Sequence, residues 1–208
     1  MRHLLLVFLA SLVVPIAQGQ EVQKPARVIG DWCEYEVDGV GVSRQRREVV
    51  DVASDGGYTV KFTDDGGEHL RVFNSDGHMI RRGNREYTRI SSSGAWYPIS
   101  AKTRGRVSKY SRPHDRRGVI VEVTSEVRSV EPEKITVPAG TFDTLRVEQV
   151  SDYRYQDGSY SNQFVDTIWY ALDAKMKFPV KFTFIDYGSR TSSVTRVLSK
   201  CGSAQPGK

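Results

Sequence analysis

Past residue 19 the chain carries three histidines, His69, His78 and His114, two cysteines, Cys33 and Cys201, and an acid-rich stretch, Asp64-Asp65-Gly66-Gly67-Glu68. A metal centre or a nucleophilic site would have to draw on these. Spacing argues against each option. Asp76-Gly77 suits a tight hairpin, which sets His69 opposite Arg82 to Asn84, several residues along the ladder from His78. At about 3.4 Å per residue the two imidazoles are too far apart to share a zinc ion. Neither His-Glu-x-x-His nor Cys-x-x-Cys occurs. The acidic stretch lacks the Asp-x-Asp-x-Asp-Gly alternation of a calcium loop and reads as a turn. Ser75, Asp76 and His78 sit in one turn and diverge, and no Gly-x-Ser-x-Gly elbow is present. Asp152 and Asp166, on two arms of one hairpin, read as solvated charges. No catalytic residue, metal ligand or cofactor is assigned, and the chain is read as a non-enzyme. A hydrolase with its triad assembled from distant strands is the third-ranked alternative.

The cysteines have a different use. In an oxidising compartment an even count favours a bridge, here Cys33 to Cys201, rather than two separate buried thiols. It would close nearly the whole exported chain into one loop, worth about 5 kcal/mol on the chain-entropy model. It also requires the first and last strands to be neighbours. Export itself is expected from "MRHLLLVFLASLVVPIAQGQ": a positive end at Arg2, an apolar run from Leu4 to Val14, and small residues at Ala17 and Gly19 before a cut at Gln20. That apolar run is shorter than the roughly 20 residues a membrane span needs. The reading is a signal peptide over residues 1–19, one domain over 20–208, and a periplasmic or secreted location.

The elements that must position any site are strands. Period-two alternation recurs: Tyr58, Val60 and Phe62 share a face, as do Val121, Val123 and Val127, and Phe178, Val180, Phe182 and Phe184. Asp76-Gly77 and Asp157-Gly158 mark hairpin turns. About eleven strands joined by short turns form an antiparallel meander. A sheet with one apolar face must curl around it or pack on a second sheet. The expected fold is therefore all-β, an open or half-closed barrel, with a two-sheet sandwich as the alternative. Ser91 to Arg104 breaks the strand pattern and could lie over the opening of the curled sheet.

One corner stands out, Val137-Pro138-Ala139-Gly140-Thr141-Phe142-Asp143. Pro138 presets its backbone angle, Gly140 can take a positive one, and Phe142 can plug into the core, so the stretch reads as a structural corner. "ITVPAGTFDTLRVE", followed by "IWYALDAKMKFPVKF", resembles a domain of unknown function common in exported bacterial proteins. "IGDWCEYEV" and "WYPISAKTRGRVSKY" resemble that family's opening and central segments, so the likeness runs from roughly Val28 to Leu198. Leu172 departs from it, standing where a turn former often follows Trp-Tyr-Ala. The resemblance implies an all-β envelope protein and brings no established catalytic residues.

Charge is segregated along the chain. Residues 20–77 hold seven basic and twelve acidic side chains, whereas 78–118 hold eleven basic and two acidic ones. Such a block suits either the outward positions of exposed strands or an anionic partner. Arg81, Arg82, Arg85, Arg89, Arg104 and Arg106 are the candidate anionic-partner patch. Outside the cytoplasm that partner is a lipid headgroup or envelope polymer, not nucleic acid; peripheral contact with a membrane surface fits, a transmembrane segment does not. Trp96, Tyr97, Phe164, Phe182 and Phe184 are the candidate ligand-binding residues, holding a lipid or other amphiphile in the curl of the sheet. The alternative is an assembly factor that docks another envelope protein through its basic face or sheet edge.

Overall fold

The computed structural model describes residues 19–203 except 40, 42, 93–95, 114–118 and 189, and the side chains of 89–91 are also not described. The apolar run of the expected export signal, His114, Arg116 and Arg117 therefore lie outside the described residues. Thirteen strands follow in order: β1 Trp32–Asp38, β2 Arg44–Val52, β3 Tyr58–Asp64, β4 Gly67–Phe73, β5 Met79–Arg82, β6 Arg85–Glu86 and β7 Thr88–Ser92. After one 3-10 turn at Ala101–Thr103 come β8 Val107–Pro113, β9 Ile120–Val137, β10 Gly140–Tyr155, β11 Ser161–Ala171, β12 Lys181–Asp186 and β13 Ser192–Gly202.

All belong to one sheet, ordered β6-β5-β4-β3-β2-β1-β13-β12-β11-β10-β9-β8-β7, with antiparallel pairing throughout. Every strand pairs with its sequence neighbours except at two places. β1 lies against β13, and Cys33 pairs with and is disulfide-bonded to Cys201. The two edges, β6 and β7, are consecutive in sequence and joined through Tyr87 alone. The sheet thus rolls into a barrel whose seam the chain itself crosses. Tyr87 donates its amide to Ile80 O at 2.8 Å, and its ring meets Tyr110 of β8 at 5.9 Å.

Local chemistry sets the turns. Asn74 Oδ1 accepts the amides of Asp76 and His78 at 3.1 and 3.0 Å, and Gly77 takes φ +83°, closing the β4–β5 hairpin. Between β9 and β10, Pro138 and Ala139 form the turn and Gly140 takes φ +134°, a backbone region that residues with a Cβ avoid. Expectation put the number of strands near eleven. The difference lies in the short pieces β6 and β7, where arginines and serines hide the period-two signal.

The core falls into two clusters. Cys33, Tyr35, Val49, Tyr58, Val60, Phe62, Phe178, Val180 and Leu198 are buried in the first. In the second, Val22 and Ile99 pack on Val127, Leu145 and Val147. Val22 and Ile99 exchange backbone hydrogen bonds at 2.8 and 3.0 Å, outside any strand. The segment 96–104 is thus a plug: Ile99 is fully buried, and Trp96 and Tyr97 both pack edge-on against Tyr170 at 6.4 Å. Arg27 adds to this end, lying over the Tyr58 and Phe178 rings at 4.9 and 4.6 Å and donating to Lys177 O.

Candidate functional site

Away from the plug the inner face is not sealed. Phe164 and Phe184, at 5.4 Å, sit with Ile168 and Phe182 on the inward phase of β11 and β12, and all four keep part of their surface accessible. Tyr35, Val60, Val147 and Leu198, on the same face nearer the plug, are buried. The barrel is packed at one end and recessed at the other.

Three arginines share that inner face. The β2–β3 register sets Arg47 opposite Phe62 and Val49 opposite Val60, and β3–β4 sets Arg71 opposite Val60 and Phe73 opposite Tyr58. Arg47 and Arg71 therefore share the inward face with the core residues. On β13, Arg196 alternates with buried Val194 and Leu198 and pairs with Phe182. Aromatic faces hold each guanidinium: Arg47 over Tyr35 and Phe62 at 4.5 and 5.2 Å, Arg71 over Phe62 at 4.0 Å, Arg196 over Phe182 at 5.5 Å. Arg47 Nε donates to Gln45 Oε1 at 3.1 Å, and Arg71 Nη2 lies 3.4 Å from His69 Nε2.

Their electrostatics are those of uncompensated cations. Burial, with Arg82, Arg47 and Arg196 nearby, pushes Arg71 down to about 9. Burial, with Arg47 and Arg82 nearby, pushes Arg196 down to about 10, while Asp64 and Asp166 pull the other way. Both remain charged at neutral pH. Burial also lowers Arg47, against the opposing pull of Tyr35 and Tyr170. Among the described residues no carboxylate stands within ion-pair distance of any of the three. Asp166 is inward on β11, and burial pushes its carboxyl up to about 7, partly offset by Arg196.

The residues singled out in the sequence divide into separate places. Phe164, Phe182 and Phe184 line the recess, whereas Trp96 and Tyr97 belong to the plug. Tyr97 meets Tyr170, six residues along β11 from Phe164, which is about 20 Å of strand. The five do not form one pocket. The arginine patch is also dispersed. Arg82 pairs with Arg71 and Arg85 on the inward phase, Arg81 pairs with Val72 and Glu86 on the outward one, and Arg104 is exposed beside the 3-10 turn. Arg106 donates to Trp96 O at 3.2 Å, and the Arg89 side chain lies outside the described residues. Asp166 faces inward rather than solvent.

Arg47, Arg71 and Arg196 escaped the sequence reading although a signal was there. Each stands two residues from a buried or aromatic neighbour, in Gln45-x-Arg47-x-Val49, His69-x-Arg71-x-Phe73 and Val194-x-Arg196-x-Leu198. A cation in the inward phase of a period-two pattern marks a charge aimed at the core.

Other concavities lie elsewhere. One of about 340 Å³ flanks the disulfide, between Trp32, Lys175, Met176 and Gly202. A second, about 130 Å³, opens at the seam between Met79, Ile80, Tyr87 and Tyr110. Among the described residues no group of three or more His, Cys, Asp or Glu side chains is placed to hold a metal. Nor is any described helix long and apolar enough to cross a membrane.

Compared with known families, the sequence matches none, and no curated protein matches it. The fold is similar to two solved structures. One is of a putative lipoprotein from Parabacteroides distasonis, 14% identical, with a TM-score of 0.53 over 86% of this chain and 97% of that one. The other is of a putative exported protein with YmcC-like fold from Bacteroides fragilis, 11% identical, with a TM-score of 0.52 over 86% of this chain and 99% of that one. The chain therefore shares its all-β architecture with this group across nearly the full length of both neighbours.

Proposed function

We propose that this protein is an exported, non-enzymatic envelope protein that binds a lipid or other amphiphile on the inner face of its rolled sheet. One observation carries the reading: Phe164, Ile168, Phe182 and Phe184 form an apolar wall that faces inward yet stays partly accessible. An apolar surface inside a fold is ordinarily sealed by packing, and a partly open one is suited to an apolar guest. The arginines beside the wall give the guest's polar end a complementary charge. Export is supported by the leading apolar segment, the disulfide and the likeness in fold to a putative lipoprotein and a putative exported protein.

The test is mass spectrometry of organic extracts from the natively purified protein. A reproducible copurified amphiphile, lost when Phe182 and Phe184 are replaced by Ser, supports the reading. A clean extract accompanied by a stoichiometric protein partner supports the docking alternative instead. That alternative has its own observation, the edge position of β7 (Thr88–Ser92) at the seam.

A further inference from the structure

We propose that Arg47, Arg71 and Arg196 form a binding site for a doubly charged tetrahedral oxyanion, an inorganic phosphate or a phosphomonoester head group, inside the barrel. This deepens the amphiphile reading by naming its head, and rests on that reading only for the apolar tail.

The three guanidiniums come from β2, β4 and β13 onto one inner face and lie within one another's electrostatic reach. Stacking on Phe62, Tyr35 and Phe182 engages the flat faces of the cations and leaves their N–H edges to point elsewhere. Two of those edges are unanswered: Nε of Arg71 and Nε of Arg196 are buried and have no hydrogen-bond partner. A buried donor without an acceptor is costly, and a buried cation without a counter-charge more so. Such a group calls for an explanation, and an ion from outside the chain is one that would satisfy donor and charge together. Arg82, paired with Arg71 across β4–β5, adds a fourth positive charge to the field.

Charge selects the class of ligand. Asp64 and Asp166 are the acids whose fields reach Arg196, and burial keeps Asp166 protonated over part of the neutral range. A single carboxylate would leave most of the positive charge unbalanced. A phosphate dianion offers more charge and oxygens in several directions, and planar guanidiniums from three strands can each meet it edge-on. The partly accessible Phe164–Phe184 wall adjoins the same recess, so a phosphomonoester could keep its tail on that wall.

The experiment is calorimetric titration of the purified protein, at constant ionic strength, with sodium phosphate, dodecyl phosphate and the uncharged dodecyl maltoside. Expected is saturable binding of both phosphates to the wild type, weakened at least tenfold by Arg71→Gln or Arg196→Gln and unchanged by Arg128→Gln, which is outside the recess. Arg71→Lys keeps the charge but not the fork; it should also weaken binding, and it covers the case in which a glutamine variant fails to fold. If dodecyl maltoside binds while neither phosphate outcompetes chloride, the oxyanion site is wrong and the amphiphile reading stands. If both phosphates bind equally and chain length adds nothing, the oxyanion site stands and the amphiphile reading falls. Phosphate binding that Arg128→Gln weakens as much as Arg71→Gln would assign it to the surface and overturn the site.

Discussion

At the scale of single residues, the proposed oxyanion site has the inner arginines trade stability for binding. Arg71 occupies a position flanked by Phe73 and facing Val60, where an apolar side chain would pack without a desolvation penalty. Arg71→Met should therefore raise the stability of the ligand-free protein by about 1–2 kcal/mol while removing phosphate binding, read by urea denaturation with and without phosphate. Asp166 gives a pH test. It lies on the same inner face as Arg196, two strands away, with Tyr110 and Tyr170 also within its field, and burial holds its carboxyl at about 7. Between about pH 4 and pH 7 the folded state thus binds more protons than the unfolded one, and stability falls as pH rises through that window. Asp166→Asn should be more stable than wild type at pH 8. The gain should shrink as pH falls below 7 and vanish near pH 4, as measured by thermal melts across that range.

At the scale of elements, the plug and the seam decide what the barrel can hold. Ile99 is fully buried between Val22 and the second core cluster, so Ile99→Ala should cost about 2–4 kcal/mol, read from the urea midpoint. Hydrogen exchange should quicken at the Val22 and Ile99 amides before it does in β9 and β10, because those two amides belong to an isolated bridge and those strands to a long ladder. The strands were legible where alternation is strong: Tyr58, Val60 and Phe62 are buried together, as are Val121, Val123 and Val127. Alternation was misleading in β4. There Leu70 and Val72 are the apolar phase by type, yet Leu70 is 47% exposed and His69, Arg71 and Phe73 face inward. Register, set by the turns on either side, overrode hydropathy. That inversion hides the arginine cluster, because the apolar side chains of β4 do not mark its inward phase. Trp96 and Tyr97 were read with the phenylalanines as one ligand-binding set, since a segment without strand pattern gives no sign of which barrel end it covers.

At the scale of the whole molecule, the disulfide holds the roll together. Cys33 and Cys201 are 168 residues apart and join β1 to β13, the one pairing in the sheet between the two ends of the chain. Cys33→Ala with Cys201→Ala should lower stability by about 3–5 kcal/mol on the chain-entropy account, measured by denaturant unfolding against the oxidised protein. The central claim is that the rolled sheet encloses a cationic recess open to an anionic amphiphile. The most direct measurement is NMR of the arginine Nε–H resonances during titration with dodecyl phosphate. The account predicts saturable shifts at Arg47, Arg71 and Arg196, with Arg128 and Arg154 unmoved. Shifts confined to the outer arginines, with the inner three silent at saturation, would contradict it.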